Sequence, residues 1–456
     1  MCYVRKIGIV TNPFLTGSKN QEFAYHPCSI IRGLLYQVWF VKIGGSNQIQ
    51  ENMNAEEKLL EVRIDEAFSN GNNQLGLKLL RNLSSSRIDD AEVYHRLAVI
   101  EEQIGSPQNS RAAYLRCLKL APNNPLAYLY AGYCLQHQGQ INEAVSLYSL
   151  GAEIDEGILS LWQDPEQSEW TRLRSGVANK TMRKFLSELH LESVGSKASD
   201  VRIAKAIWTR THDQPFQFAQ AQQKPQLYYI PELPAKSYAL RARGSLNWPW
   251  VKPFEKAAKE IKQELLTALP DVRAKGRPYL PGGLNLDERF DPLVGSLNWT
   301  ALDLYKDGEL NQSLASYFPR TLSALMPAGS TSGDPNVPLY NLHDTPFEVF
   351  FSLLKPGHHI VSHYGLSNHS LTVHLPLVVP RDCWLRVGTE KHIWKEGELV
   401  AFDDTFEHEA MNGSTEERIV LIFSIWHPDL SRQEQKSIQR SFQARQGWLD
   451  SRVIPA

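Results

Sequence analysis

Nine of the chain's fourteen histidines lie between His343 and His427, a stretch of under a fifth of its 456 residues. Imidazole titrates near neutral pH and is the commonest transition-metal ligand. This stretch is therefore where a metal or acid–base centre is expected. Two segments in it stand out, "SHYG" with His363 and "DDTFEHEAMN" with His408. Each adjoins a run of β-forming residues, so both imidazoles are expected on rigid strands at the mouth of one barrel. Together they make half of a site for Fe(II), Zn or Mn. In a non-haem iron triad the third ligand is a carboxylate two residues after the first histidine. Here that residue is Gly365, which cannot coordinate. Asp403, Asp404, Glu407 and Glu409 flank the second histidine, but in an extended segment Glu407 and Glu409 point away from His408. Spacing alone leaves two readings, a metal centre and a pair of structural histidines.

Strand parity suggests a second group of residues. Ser352 in "FSLL", His374 in "LTVHLPL" and Arg418 in "ERIVLIFSIW" could all face inward. An arginine inside an apolar barrel requires an anion, and a small dicarboxylate would satisfy it bidentately, with a share taken by the Ser352 hydroxyl. The alternative is that Arg418 is a solvated residue after the "GSTEE" turn.

The elements that must carry these residues follow from periodicity. Beyond Pro270, short β-type runs ("FEVFFSLL", "LTVHLPLVV", "CWLRV", "ELVAF", "RIVLIFSIW") without intervening helices predict an antiparallel sandwich or barrel. Before them, Pro253 to Leu269 reads as a helix with proline near its start and Pro270 after its end. Residues 158–220 read as further helix, followed by the polar run "FAQAQQKPQ". Residues 53–157 hold an internal period of 34: Leu60, Tyr94, Tyr128; Ile64, Ala98, Gly132; Gly71, Gly105, Gly139; Leu80, Tyr114, Tyr148. This resembles the tetratricopeptide helix–turn–helix repeat, in which small residues let paired helices approach and glycine supplies the turn. Three units suffice for a stack, the first being the weakest match; a generic helical bundle is the plainer alternative. Residues 1–52 hold no sustained period and read as a leader or extension, with Met53 an alternative natural start.

Composition narrows the function classes. Apolar and charged shares of 42% and 21% are those of an ordinary globular protein, and a net charge of −2 gives no nucleic-acid footprint. Five cysteines without a CxxC pair argue against a disulfide framework or zinc ribbon and for a reducing compartment. The nearest approach to a membrane span, Cys28 to Ile43, is broken by Arg32, Gln37 and Lys42. A cytoplasmic protein is expected.

The run from Phe350 to Ser431, above all "WKEGELVAFDDTFEHEAMN" followed by Arg418 and "WHP", resembles the aspartyl/asparaginyl β-hydroxylase family. Looser likeness extends to "YYIPELPAKSY" and to "LNWTALDLYKDGE" around Trp299. The resemblance implies an α+β multidomain chain: helical repeats over 53–157, a helical linker over 158–220, and a double-stranded β-helix (jelly-roll, cupin-like) oxygenase over 221–456 with its core at 345–431. It implies Fe(II), 2-oxoglutarate and O₂ as the chemical partners. His363 and His408 match the iron ligands, and Gly365 the position that this family leaves to water. Ser352 and Arg418 match residues that hold the distal carboxylate of 2-oxoglutarate, and His374 a further contact. Thr372 and Ser370 stand where vertebrate members have arginines, which leaves Thr372 one hydroxyl for the co-substrate. Asp403 and Asp404 are candidates to orient His408, or are solvated turn acids. The implied reaction is β-hydroxylation of aspartyl or asparaginyl residues in a peptide or protein held by the repeats, without nucleic acid or a membrane anchor. Hydroxylation of a lipid or other small molecule, and a non-catalytic repeat adaptor with a degenerate barrel, are the alternatives.

Overall fold

The computed structural model describes residues 55–195, 201–240, 248–283, 286–306, 309–326 and 348–455. The leader over 1–52, the start at Met53 and His343 lie outside them. The described residues fall into two compact units, a helical one of 55–188 with 445–455 and a β-rich one of 189–444.

The helical unit holds three antiparallel pairs: α1 (Ala55–Ser69) with α2 (Asn73–Ser86), α3 (Ala91–Ile104) with α4 (Pro107–Leu120), and α5 (Pro125–His137) with α6 (Ile141–Ile154). Their starts carry local capping. The Asp90, Ser106 and Asn124 side chains accept from Val93, Asn109 and Leu126 N–H, and Pro107 and Pro125 occupy first-turn positions. The 34-residue period is structural: Ile64, Ala98 and Gly132 are buried, as are Leu80, Tyr114 and Tyr148. A Cβ on Gly132 would lie 2.5 Å from the Tyr148 ring, so glycine there lets the two helices touch. Gly71 and Gly139 turn their hairpins at φ of +73° and +78°, which favours glycine. Gly105 does not share that role; its φ is −100°, and a Cβ would lie 1.9 Å from Glu101 Oε2. Room for the Glu101 carboxylate, which binds Arg81 and the Ser106 N–H, explains it.

Two sequence boundaries change. Helix continues over Glu169–Val194, but the expected helix to 220 does not form. Among the described residues between 195 and 220 only Val201–Ala204 is helical, and Ile207–Trp208 (β1) pairs instead with Tyr228–Tyr229 (β2). Trp208 and Tyr228 are buried edge to face, 5.0 Å between centroids, and this aromatic packing overrides the local pattern. The helix expected to stop at Leu269 runs over Val251–Val272, through Pro270. Val272 is fully buried, and its packing holds a last turn that lacks one backbone donor.

The remaining strands are β3 (Tyr238–Leu240), β4 (Arg277–Pro278), β5 (Trp299–Lys306), β6 (Glu309–Leu310), β7 (Val349–Leu354), β8 (His359–His363) and β9 (Ser370–Val378). They continue with β10 (Cys383–Val387), β11 (Glu390–Ile393), β12 (Val400–Phe402), β13 (His408–Asn412) and β14 (Arg418–Trp426). From β7 onward the chain alternates between two antiparallel sheets, apart from the β10–β11 hairpin within one of them. The larger runs β3-β12-β9-β14-β7-β5-β4 with β6 beside β5, and the smaller runs β11-β10-β13-β8. This is the double-stranded β-helix of a jelly roll. Leu371, Val373, Leu375, Leu421 and Phe423 pack outward against Phe254, Ile261 and Leu265 of the 251–272 helix. The opposite face of the same sheet meets the smaller sheet in a second core with Leu354, Phe402, Ile360, Leu385 and Ala410. Burial on both faces explains the nearly unbroken apolar strands, and alternation turns the even-numbered residues of β7, β9 and β14 inward.

Gly132→Ala should destabilise the helical unit by about 1–3 kcal/mol through overpacking, although alanine favours helix over glycine by about 1 kcal/mol. Urea denaturation followed by far-UV circular dichroism measures it; unchanged stability would mean that Tyr148 moves aside without cost.

Candidate active site

His363 closes β8 and His408 opens β13, and the two are direct cross-strand partners. Their ring centroids lie 4.1 Å apart. A register shift follows at once, between His408 and Ala410, so the pair sits where the ladder is locally bent. Each ring is fixed in the same way: His363 Nδ1 lies 2.7 Å from the Val361 carbonyl and His408 Nδ1 3.0 Å from that of Phe406. A carbonyl only accepts, so each Nδ1 carries the proton and each Nε2 keeps its lone pair. Desolvation holds both imidazoles below the ordinary histidine range, His408 well below, with His363 itself adding to the shift at His408. Two neutral rings with free Nε2 atoms form a donor set suited to a divalent transition metal. Among the described residues no group of three or more His, Cys, Asp or Glu gathers as a metal cluster, so such an ion would keep open positions.

Gly365 adjoins a carboxylate from the turn before His408. Its N–H donates to the Asp404 carbonyl at 2.6 Å, and a Cβ there would stand 2.1 Å from Asp404 Oδ1. The Asp404 side chain thus fills the space that a side chain at 365 would need. Desolvation, with Asp403 adding to it, pushes Asp404 up to about 7. Asp403 is buried and accepts from Thr405 N–H and Oγ1 and from Gln223 Nε2; it is pushed up to about 6 by desolvation. Neither acid is a solvated turn residue.

The inward-facing residues converge as parity predicts. Ser352, His374 and Arg418 are buried, and Arg418 Nη1 lies 3.5 Å from Ser352 Oγ, which also accepts from Trp299 Nε1 at 3.0 Å. Arg418 is therefore not a solvated residue after a turn. Its Nε and Nη2 have no partner, and among the described residues no carboxylate pairs with it. Desolvation lowers it to about 10, which still leaves it charged at neutral pH. His374 Nδ1 and Trp394 Nε1 are likewise buried and unpartnered. The Trp394 ring lies 5.2 Å from the Arg418 guanidinium carbon and 5.8 Å from the His374 ring. Phe402 then connects His374, at 5.0 Å, to His408, at 5.5 Å. A buried cation and unpartnered N–H groups at the deep end of a ring-lined interior suit an organic anion.

Thr372, expected to reach the co-substrate, instead donates its hydroxyl to Asp404 Oδ2 at 3.1 Å. Ser370 begins β9 opposite Trp426. Of the other clustered histidines, His359 pairs with Glu409 on the strand face away from His408, while His369 and His427 are packed elsewhere in the unit. Sequence reasoning missed Trp394, Phe402 and Phe290, whose ring lies 5.9 Å from that of His363. Nothing in their spacing marks an aromatic residue as site-lining.

Residues 255–428 match the family model described as aspartyl/asparaginyl beta-hydroxylase, and residues 91–124 and 113–146 match tetratricopeptide repeat models. The chain is 26% identical over 382 residues to the human aspartyl/asparaginyl beta-hydroxylase, covering 83% of this chain and 44% of that protein. The mouse protein of that name is 26% identical over 338 residues, 74% of this chain and 39% of its own length. Human aspartate beta-hydroxylase domain-containing protein 2 is 29% identical over 223 residues, 48% of this chain and 55% of its length. The chain thus spans under half the length of the first two relatives. No helix among its described residues is long and apolar enough to cross a membrane. Residues 255–428 are thus similar to the aspartyl/asparaginyl beta-hydroxylase family, and segments before them to tetratricopeptide repeats.

Proposed function

We propose that this protein is an Fe(II)- and 2-oxoglutarate-dependent dioxygenase that hydroxylates the β-carbon of aspartyl or asparaginyl residues in a peptide or protein. The observation that carries the reading is the fully buried Arg418, with two unpartnered N–H groups, in the same barrel interior as two imidazoles with free Nε2 atoms. His363 and His408 would hold the metal. With O₂ and the keto acid, bound Fe(II) supplies the oxidising power for C–H hydroxylation, the keto acid leaving as succinate and CO₂.

The chain's own residues bind, orient and exclude water. Arg418 and the Ser352 hydroxyl would grip the distal carboxylate of 2-oxoglutarate, and Trp299 fixes that hydroxyl by donating to it. His374 and Trp394 offer further donors. Phe402 lines the space between the carboxylate grip and the histidine pair and keeps it dry. Asp404 fills the space beside Gly365 that a side chain there would need, and Thr372 fixes one of its oxygens. Helical repeats provide surfaces suited to an extended polypeptide, which favours a peptide over a lipid substrate. A cytoplasmic location belongs to the same reading.

Three variants test it. Incubation of the protein with Fe(II), 2-oxoglutarate and Asp/Asn-containing peptides should give a single added oxygen by mass spectrometry, and His408→Ala should abolish it; absence of both product and succinate would exclude the hydroxylase. Arg418→Met should raise the 2-oxoglutarate dissociation constant roughly 10- to 100-fold, the worth of a hydrogen-bonded charge of about 1.5–3 kcal/mol. The same change should leave the ligand-free melting temperature unchanged or higher, because it removes an uncompensated buried cation. Gly365→Asp should weaken metal binding measured by Mn(II) titration, since its Cβ displaces Asp404; tighter binding would show that a triad can be rebuilt on β8.

A further inference from the structure

The polar run "QAQQKPQ" precedes residues 255–428 and looks like a linker in the sequence, yet it is tied to both histidine-bearing loops. On the His408 side, Lys224 N–H donates to the Thr405 carbonyl at 2.8 Å, Glu407 N–H to the Gln222 carbonyl at 3.3 Å, and Gln223 bridges to Phe406. On the His363 side, Gln226 N–H donates to the Gly365 carbonyl at 3.1 Å, and Leu227 and Tyr228 N–H to that of Leu366 at 2.9 and 3.0 Å. One strand-like strap therefore fastens two loops that are otherwise joined near the site by the His363–His408 pairing and the Gly365–Asp404 bond.

Within the strap one side chain is buried and engages both its N–H donors. Gln223 is 1% exposed, and its Nε2 donates to Asp403 Oδ2 at 2.9 Å and to Thr405 Oγ1 at 3.1 Å. Asp403 Oδ1 in turn accepts from the Thr405 N–H at 2.9 Å and its hydroxyl at 2.5 Å, and the Asp403 carbonyl accepts from Phe406 N–H at 3.2 Å. The turn so fixed ends at the Phe406 carbonyl, the atom that holds His408 Nδ1. A carboxamide is the group this place needs. A carboxylate would face Asp403, and an apolar side chain would leave an Asp403 oxygen short of a donor in a dry interior.

We propose that Gln223 is a positioning residue for the metal centre: acting through Asp403, Thr405 and the Phe406 carbonyl, it sets the orientation of the His408 ring, so that the 222–228 strap is part of the site. The inference rests on the reading of His363 and His408 as metal ligands. Partners that orient a ligating imidazole are typically worth 10- to 100-fold in metal affinity, and Gln223 acts one step further out.

The test uses the full chain and Mn(II) alone, followed by loss of the free-ion electron paramagnetic resonance signal, with melting temperatures recorded in chelator. Gln223→Met keeps the volume and removes the donors; it should weaken Mn(II) about tenfold. Gln223→Glu sets two carboxylates together and should weaken it at least as much. Adding Asp403→Asn restores a donor–acceptor pair of reversed polarity, and affinity should return to within about threefold of the parent protein. A general loss of stability would not be rescued in affinity by that second change while the chelated melting temperature stayed low. Mn(II) affinity unaltered in both single variants would overturn the role of Gln223, as would failure of the double variant to recover. Should Gln223→Met not fold, the comparison of Gln223→Glu with the double variant decides alone. Failure of the parent protein itself to bind Mn(II) would instead remove the metal reading on which the proposal stands.

Discussion

The pairing of β8 with β13 places His363 opposite His408, and most of the unit's arrangement serves to keep that pairing exact. Two imidazoles 4.1 Å apart between ring centres are useful as ligands only if neither rotates. Rotation is prevented twice, by a backbone carbonyl on each Nδ1 and by aromatic walls, Phe290 beside His363 and Phe402 beside His408. The loops that follow the two rings are then fastened to each other and to a third segment from earlier in the chain. Affinity in a two-ligand site depends on such preorganisation more than in a closed four-ligand site, because fewer bonds offset the entropy of ordering the ligands.

The second constraint is electrostatic. Arg418 is 1% exposed with no carboxylate partner among the described residues, a costly state for a folded protein. The cost is tolerable where an anion regularly offsets it, and the unpartnered groups on His374 and Trp394 belong to the same cluster. Under the proposed function, stability given up in the ligand-free chain would become affinity for a dicarboxylate. The outward face of the same sheet bears no such cost: β9 and β14 pack hydrocarbon against the 251–272 helix, and that core supports the strained interior.

Gly365 and Asp404 are matched in space. In a facial triad the carboxylate comes from the same strand as the first histidine. Here β8 offers Gly365, and the carboxylate beside that position arrives from the loop before His408. The two features depend on each other, since a Cβ at 365 would collide with Asp404. The Thr372 hydroxyl donates to the same carboxylate.

Much of this was legible in the chain alone. The period of 34 and the inward parity of Ser352, His374 and Arg418 are local properties, fixed by helix and strand geometry whatever the surroundings. So was the density of histidine around the site. What sequence could not give was every feature that depends on a partner remote along the chain. Gly105 reads as a turn glycine until Glu101 is seen to need its space. Pro270 reads as a helix stop until the burial of Val272 carries the helix past it. Trp394 gains a role only from Arg418, and Gln223 only from Asp403, 180 residues away. Periodicity decides which face a residue occupies; only tertiary packing decides what it meets there, because desolvation and hydrogen bonding are set by neighbours in space.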